Sequence, residues 1–243
     1  MKISRLPNRL PEIFHTLQGE GLSLGAPAVF LRLALCNLHC QWCDTPYTWN
    51  WEGSPWQHQD GRKFSKADQI LELTPAEVAE IISRFSCDRL VLTGGEPLLQ
   101  QAELIKLARL LPHVRHFEVE TNGTQIPHQD FEDFPIQFNV SPKLSNSGME
   151  EKLRLKPEAL RHLAAHPDTV FKFVVCSQSD LAEVGEIRDS FGIPSNRIIL
   201  MPEGRDPATL QKRSLWLADI CRDHGYRFSP RLHVLLWGNK RAK

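Results

Sequence analysis

The sequence has no net charge, no long apolar run, no internal repeat and no low-complexity tract. Twenty-nine Lys and Arg balance twenty-nine Asp and Glu, so no overall field draws the chain to nucleic acid or to an anionic membrane. The longest apolar stretches, 29–35 and 170–176, are each broken by a cation and fall far short of the roughly 20 residues that a spanning helix needs. Lys2, Arg5 and Arg9 are followed by no apolar stretch of signal-peptide length, and Pro7 and Pro11 interrupt the segment. The expectation is a cytoplasmic protein with no membrane or nucleic-acid partner. What is present, 41% hydrophobic and 24% charged residues in 243, excludes disorder, collagen and coiled coil. At this length one domain is the default reading.

Cysteine is scarce outside one segment. Cys87, Cys176 and Cys221 are isolated in apolar surroundings and read as small core residues. The other three, Cys36, Cys40 and Cys43, fall within eight residues, a crowding that favours a metal or cluster site over disulfides in a cytosolic chain. Their spacing is C-x3-C-x2-C, directly after an apolar strand. Three thiolates on one loop can each hold one iron of a four-iron cluster, leaving the fourth iron open to bind and activate a ligand. A structural zinc site usually closes with four ligands; no second C-x2-C occurs, so His39 or His58 would have to complete a Cys3His set.

Strand-like and helix-period segments alternate. Short apolar or β-branched runs predict strands at 29–35, 89–92, 116–120, 136–140, 169–175, 197–200 and 232–236. Helical patterns cover 75–84, which opens with the capping box Thr74-Pro75-Ala76-Glu77, and 100–111, 157–165, 179–191 and 206–224. Such alternation means a parallel sheet with βα connections, in an open sheet or a barrel. Polar and glycine-rich residues follow the strands: Thr93-Gly94-Gly95-Glu96-Pro97, Thr121-Asn122-Gly123-Thr124, Ser141-Pro142-Lys143 and Met201-Pro202-Glu203-Gly204. The C-terminal ends of strands are where such folds place active sites. Segment 46–73, with Trp49, Trp51 and Trp56, breaks the rhythm and reads as a loop or flap insertion, with room for a short helix, rather than a domain.

The triplet Cys36, Cys40, Cys43 followed by Gly94-Gly95-Glu96-Pro97 resembles the signature of the radical S-adenosylmethionine superfamily. That resemblance implies an α/β fold with a partial (β/α)6-type barrel, a [4Fe-4S] cluster on the three cysteines, and S-adenosylmethionine on the open iron. The glycines would permit close backbone approach to the cofactor, and Glu96 would accept from its ammonium. Further residues narrow the resemblance. Leu17-Gln18-Gly19-Glu20-Gly21, the strand Phe30-Leu31-Arg32-Leu33-Ala34-Leu35-Cys36, and Asp44-Thr45 after the last cysteine resemble the 7-carboxy-7-deazaguanine synthase family of queuosine biosynthesis, from about residue 12 onward.

The family resemblance implies a radical ring contraction of 6-carboxy-5,6,7,8-tetrahydropterin. A hydrogen leaves C6, the ring rearranges, the hydrogen returns so that S-adenosylmethionine is not consumed, and ammonia is lost. Arg32 is a permanent cation in an apolar strand, a costly placement unless an anion meets it. The resemblance supplies the substrate carboxylate; an internal ion pair, as with Glu120, is the other reading. Leu17, Gln18, Gly19 and Thr93 would hold the pterin, with Glu20 a weaker candidate, although 17–19 also suits an ordinary hairpin turn. Trp42, Cys43, Asp44, Gly95, Glu96, Glu120, Ser141, Pro142 and Lys143 would meet S-adenosylmethionine, and 201–204 its adenine. Thr45, beside Asp44, would bind Mg2+ through oxygen. His233 has two readings, facing substrate or, as is commoner for a lone histidine in an apolar strand, a hydrogen-bonded core residue. A flavodoxin or ferredoxin as electron donor and a homodimer complete what the resemblance implies. Two alternatives stay open at this point: a glycyl-radical activating enzyme, against which Arg32 and the Leu-Gln-Gly-Glu-Gly segment speak, and a zinc-stabilised binding protein.

Overall fold

The structure, a computed structural model, describes residues 1–243. In chain order the elements are β1 (Lys2–Ser4), β2 (Ile13–Leu17), β3 (Pro27–Leu33), α1 (Lys66–Gln69), β4 (Ile70–Glu72), α2 (Pro75–Ile82), β5 (Arg89–Gly94), α3 (Gln101–Arg109) and β6 (His116–Thr121). They continue with β7 (Ile136–Val140), α4 (Glu151–Arg154), α5 (Pro157–Ala165), β8 (Thr169–Val175), α6 (Asp180–Phe191), β9 (Ile198–Pro202), α7 (Pro207–His224), β10 (Arg227–Phe228) and α8 (Leu232–Trp237). One sheet runs β10-β9-β8-β7-β6-β5-β3-β1-β4, with β2 also paired to β3. From β3 to β10 every pairing is parallel, while β1, β2 and β4 add antiparallel. The ends of the sheet, β10 and β4, do not pair with each other, so the six long parallel strands form an open, partial barrel.

Alternation along the strands decides what the barrel encloses. On β3, Val29, Leu31 and Leu33 enter the hydrophobic core, whereas Phe30 and Arg32 line the central cavity. On β8, Phe171, Phe173 and Val175 join the same core while Lys172 and Val174 face the cavity. Because successive side chains point to opposite faces, one pleat puts the apolar residues under the helices and the charged ones inside. The core is one contiguous cluster, in which α2 contributes Val78, Ala79 and Ile82. The Thr74 capping box forms, with the Glu77 amide donating to Thr74 Oγ1 at 3.3 Å and the Thr74 amide donating to Glu77 Oε2 at 2.7 Å.

Three expectations are corrected. The run 232–236 is a helix, α8, and the seventh parallel strand is the two-residue β10. A short apolar run fits either state; here only Val234 is buried while Leu235 and Leu236 stand exposed, so one face is covered as on a helix. The antiparallel β1, β2 and β4, of three to five residues, are too short to announce themselves by period. Of the isolated cysteines only Cys221 is buried; Cys87 and Cys176 are half-exposed. Segment 46–73 contains α1 and β4 and buries Tyr47, Trp49, His58 and Phe64, leaving Trp56 at the surface. No helix is long and apolar enough to cross a membrane.

Candidate active site at the cysteine loop

The cysteine loop leaves β3 through Leu35, which holds a left-handed backbone at φ +78°, an uncommon conformation for a branched residue. Two hydrogen bonds pin this kink to the end of β5: Gly95 N to Leu33 O at 3.1 Å and Glu96 N to Leu35 O at 2.9 Å. A Cβ on Gly94 would lie 2.2 Å from Leu33 O, and one on Gly95 would lie 2.1 Å from Leu35 O. The glycine pair is therefore needed for backbone to lie directly on backbone beneath Cys36. Gly95→Ala is expected to lower stability by about 1–3 kcal/mol, as overpacking does, and to reduce iron bound per chain; thermal unfolding and iron analysis check both.

All three thiols line one cavity. Burial raises the pKa of each, that of Cys40 to about 12, so the loop favours thiolates only when a cation compensates them. The two histidines are engaged elsewhere. His39 stacks on Trp56 with ring centroids 3.8 Å apart, and His58 places Nε2 at 2.7 Å from Cys43 O and Nδ1 at 2.6 Å from Asp60.

The cavity brings together Leu17, Gln18, Gly19, Arg32, Trp42, Asp44, Thr45, Thr93, Gly95, Glu120, Ser141 and Lys143, along with the cysteines. Glu96 and Pro142 are not among its lining. The Glu96 carboxylate is buried and accepts from Leu98 N at 3.0 Å, Thr121 Oγ1 at 2.8 Å and Asn122 N at 2.7 Å. Burial raises its pKa against those donors. In this geometry Glu96 ties the end of β5 to the end of β6. Trp42 Nε1 donates to Asn146 O at 2.9 Å, and Lys143 Nζ donates to Ser141 Oγ at 2.8 Å while lying 5.8 Å from the Trp42 ring centre.

Arg32 does have an internal partner, Glu12 and not Glu120, through Nε at 2.9 Å. Its terminal nitrogens make no protein hydrogen bond, and the residue faces the cavity. Burial would lower its pKa, but Tyr47 and Glu12 hold it raised and charged. Glu120 pairs with Lys172 at 2.8 Å, and Lys172 also meets Glu20 at 2.6 Å. Arg231 bridges Glu20 and Asp44. Burial pushes Glu20 up, yet Lys172 and Arg231 outweigh it and leave its carboxyl well below the usual range. Gln18 is a fixed part of this array: Nε2 donates to Glu118 at 2.9 Å, and Oε1 accepts from Glu20 N at 3.3 Å. The His233 ring packs on Gly19, whose Cβ would fall 2.3 Å from Nδ1, and His233 lines the cavity.

Sequence reasoning missed Lys172, Arg231 and Glu12. A signal for Lys172 was in view, since it is the cation that breaks the apolar stretch 170–176 as Arg32 breaks 29–35. Arg231 and Glu12 carry no comparable local signal.

An open parallel barrel carrying three spread thiols on the loop after its first long parallel strand, beside a Gly-Gly turn, is the arrangement of a radical S-adenosylmethionine enzyme. The model of the Radical SAM superfamily matches residues 33–134. A relative named 7-carboxy-7-deazaguanine synthase in Pyrobaculum aerophilum is 37% identical over 239 residues, covering 97% of each chain. One of the same name in Halobacterium salinarum is also 37% identical, over 94% of this chain and 90% of that one. The crystal structure of QueE from Escherichia coli shares the fold, with a TM-score of 0.68 at 24% identity over 96% of this chain and 95% of that one. The chain belongs to the 7-carboxy-7-deazaguanine synthase family.

Proposed function

We propose that this enzyme forms 7-carboxy-7-deazaguanine from 6-carboxy-5,6,7,8-tetrahydropterin with loss of ammonia. The observation that carries the reading is Arg32, a charged guanidinium with free terminal nitrogens facing a cavity that also holds the three thiols. A fork of this kind matches a carboxylate bidentately. Cys36, Cys40 and Cys43 would hold a [4Fe-4S] cluster; with S-adenosylmethionine bound it supplies the 5′-deoxyadenosyl radical.

The chain's own residues then select and hold the pterin. Arg32 takes the carboxylate, Thr93 offers its hydroxyl, Leu17, Gln18 and Gly19 line the cavity with the Gln18 backbone already held by Ala26 and Gly25, and the Lys172, Glu20 and Glu120 array keeps the site rigid and polar. Trp42, Cys43, Asp44, Gly95, Glu120, Ser141 and Lys143, all in the cavity wall, would meet the cofactor, with Pro142 next to Ser141 in sequence. Glu96 contributes through the shape of the turn it braces. Thr45, whose hydroxyl lies 3.6 Å from Cys43 Sγ, would give Mg2+ one oxygen, the substrate and water the remainder. A flavodoxin or ferredoxin as donor and a homodimeric assembly belong to the same proposal.

Anaerobic turnover of the reconstituted chain with dithionite, Mg2+, S-adenosylmethionine and 6-carboxytetrahydropterin tests it by mass spectrometry. Many molecules of 7-carboxy-7-deazaguanine per S-adenosylmethionine are expected. Cleavage of S-adenosylmethionine without that product would defeat the pterin reading and turn attention to a peptide substrate.

A further inference from the structure

Glu12 lies outside β1 and β2 but is 1% exposed and joins three parts of the chain. Its backbone accepts from Arg32 N at 3.1 Å, and its carboxylate accepts from Arg32 Nε at 2.9 Å, from Tyr47 Oη at 3.1 Å and from Arg241 at 2.5 Å. Arg241 comes from the segment after α8. Its guanidinium lies 3.5 Å from the Tyr47 ring centre, the cation-π arrangement, and donates to Arg5 O at 3.1 Å. Tyr47 in turn sits two residues after Thr45.

The charge count at this junction is informative. Glu12 and Arg32 alone would neutralise each other, and the guanidinium would have little net pull on an anion. With Arg241 on the same carboxylate, two cations share one anion, so the trio carries one net positive charge, and Arg32 is its member that lines the central cavity. Because Glu12 engages only Nε, Arg32 presents its terminal fork to the cavity, and Arg241 fixes the carboxylate that fixes Arg32.

We propose that Glu12 and Arg241 are positioning residues for the carboxylate of the substrate, acting through Arg32. This rests on the reading of Arg32 as the carboxylate's partner. Neither residue needs to touch the substrate. The effect is specific to an anionic ligand: without Arg241 the pair Glu12–Arg32 closes on itself, and affinity falls for a carboxylated pterin but not for an uncharged one.

The test uses the cluster-loaded full chain with S-adenosylmethionine and Mg2+, and measures dissociation constants for 6-carboxytetrahydropterin and for unsubstituted tetrahydropterin, together with KM and kcat. Arg241→Ala is expected to weaken the carboxylated ligand about tenfold, the scale of one charge-assisted hydrogen bond. The unsubstituted ligand should bind as in wild type, and Arg241→Lys should recover part of the loss. In a Glu12→Gln background, Arg241→Ala should have little further effect, because the coupling runs through that carboxylate. Equal weakening of both ligands, or additive effects of the two substitutions, would overturn the positioning role while leaving the proposed activity standing. If wild type itself does not distinguish the two pterins, the reading of Arg32 fails, and this inference fails with it.

Discussion

Replacing Cys40 by alanine is expected to bring turnover to background, a loss of at least about 10⁴-fold on the scale of removing one essential group. Cys40 lines the cavity between its two partners in sequence, and the loop offers no substitute: His39 is stacked on Trp56, and both ring nitrogens of His58 are engaged. Two thiolates hold a four-iron cluster poorly, so the broad visible absorption and the bound iron should fall together with S-adenosylmethionine cleavage. Cys87→Ala serves as the control. Its thiol hydrogen-bonds only to backbone carbonyls, at Pro27 and Arg89, at the edge of the core, and that variant should keep colour and turnover.

Lys172→Met carries the largest expected cost in stability, about 3–5 kcal/mol, the usual penalty for removing one partner of a buried pair. Lys172 is 4% exposed on a strand whose residues are all buried; without it Glu120 loses its cation and Glu20 keeps Arg231, with His233 Nε2 4.0 Å away. Burial already raises the Glu120 carboxyl pKa despite Lys172, and losing the amine raises it further. A carboxyl whose pKa is higher folded than unfolded binds more protons in the native state, so its stability contribution falls as pH rises through that window. The deficit of the variant should therefore widen as pH rises above the usual carboxylate range. Urea unfolding at several pH values measures it, and Lys172→Met with Glu120→Gln should recover part of the loss. A deficit independent of pH would show that the cost is packing and not the uncompensated carboxylate.

Much of the cavity lining is local and was legible. The spacing of Cys36, Cys40 and Cys43 sets three thiols on one loop wherever that loop sits, and Gly94-Gly95 marks a close backbone approach. A second reason for the glycines was not legible: a Cβ at either position would strike the backbone of Leu33 or Leu35, a contact made by the end of a neighbouring strand. Arg32 was found because a cation in an apolar strand is anomalous in any fold, but its partner proved to be Glu12. Leu17-Gln18-Gly19 was legible as a site segment, though the Gln18 side chain is spent on Glu118 and Glu20.

The sequence by itself determined the alternation of the six long parallel strands with their helices, the cluster loop, the anomalous cation and the family, because each is carried by residues a few positions apart or by identity along the chain. Only the tertiary structure decided how the charges pair. Glu20 meets Lys172 across 152 positions, Asp44 meets Arg231 across 187, and Glu12 meets Arg241 across 229. Hydrophobic period says which face of a strand is buried. It does not say which strand lies beside it, and sheet order and register are what bring these charges within bonding distance.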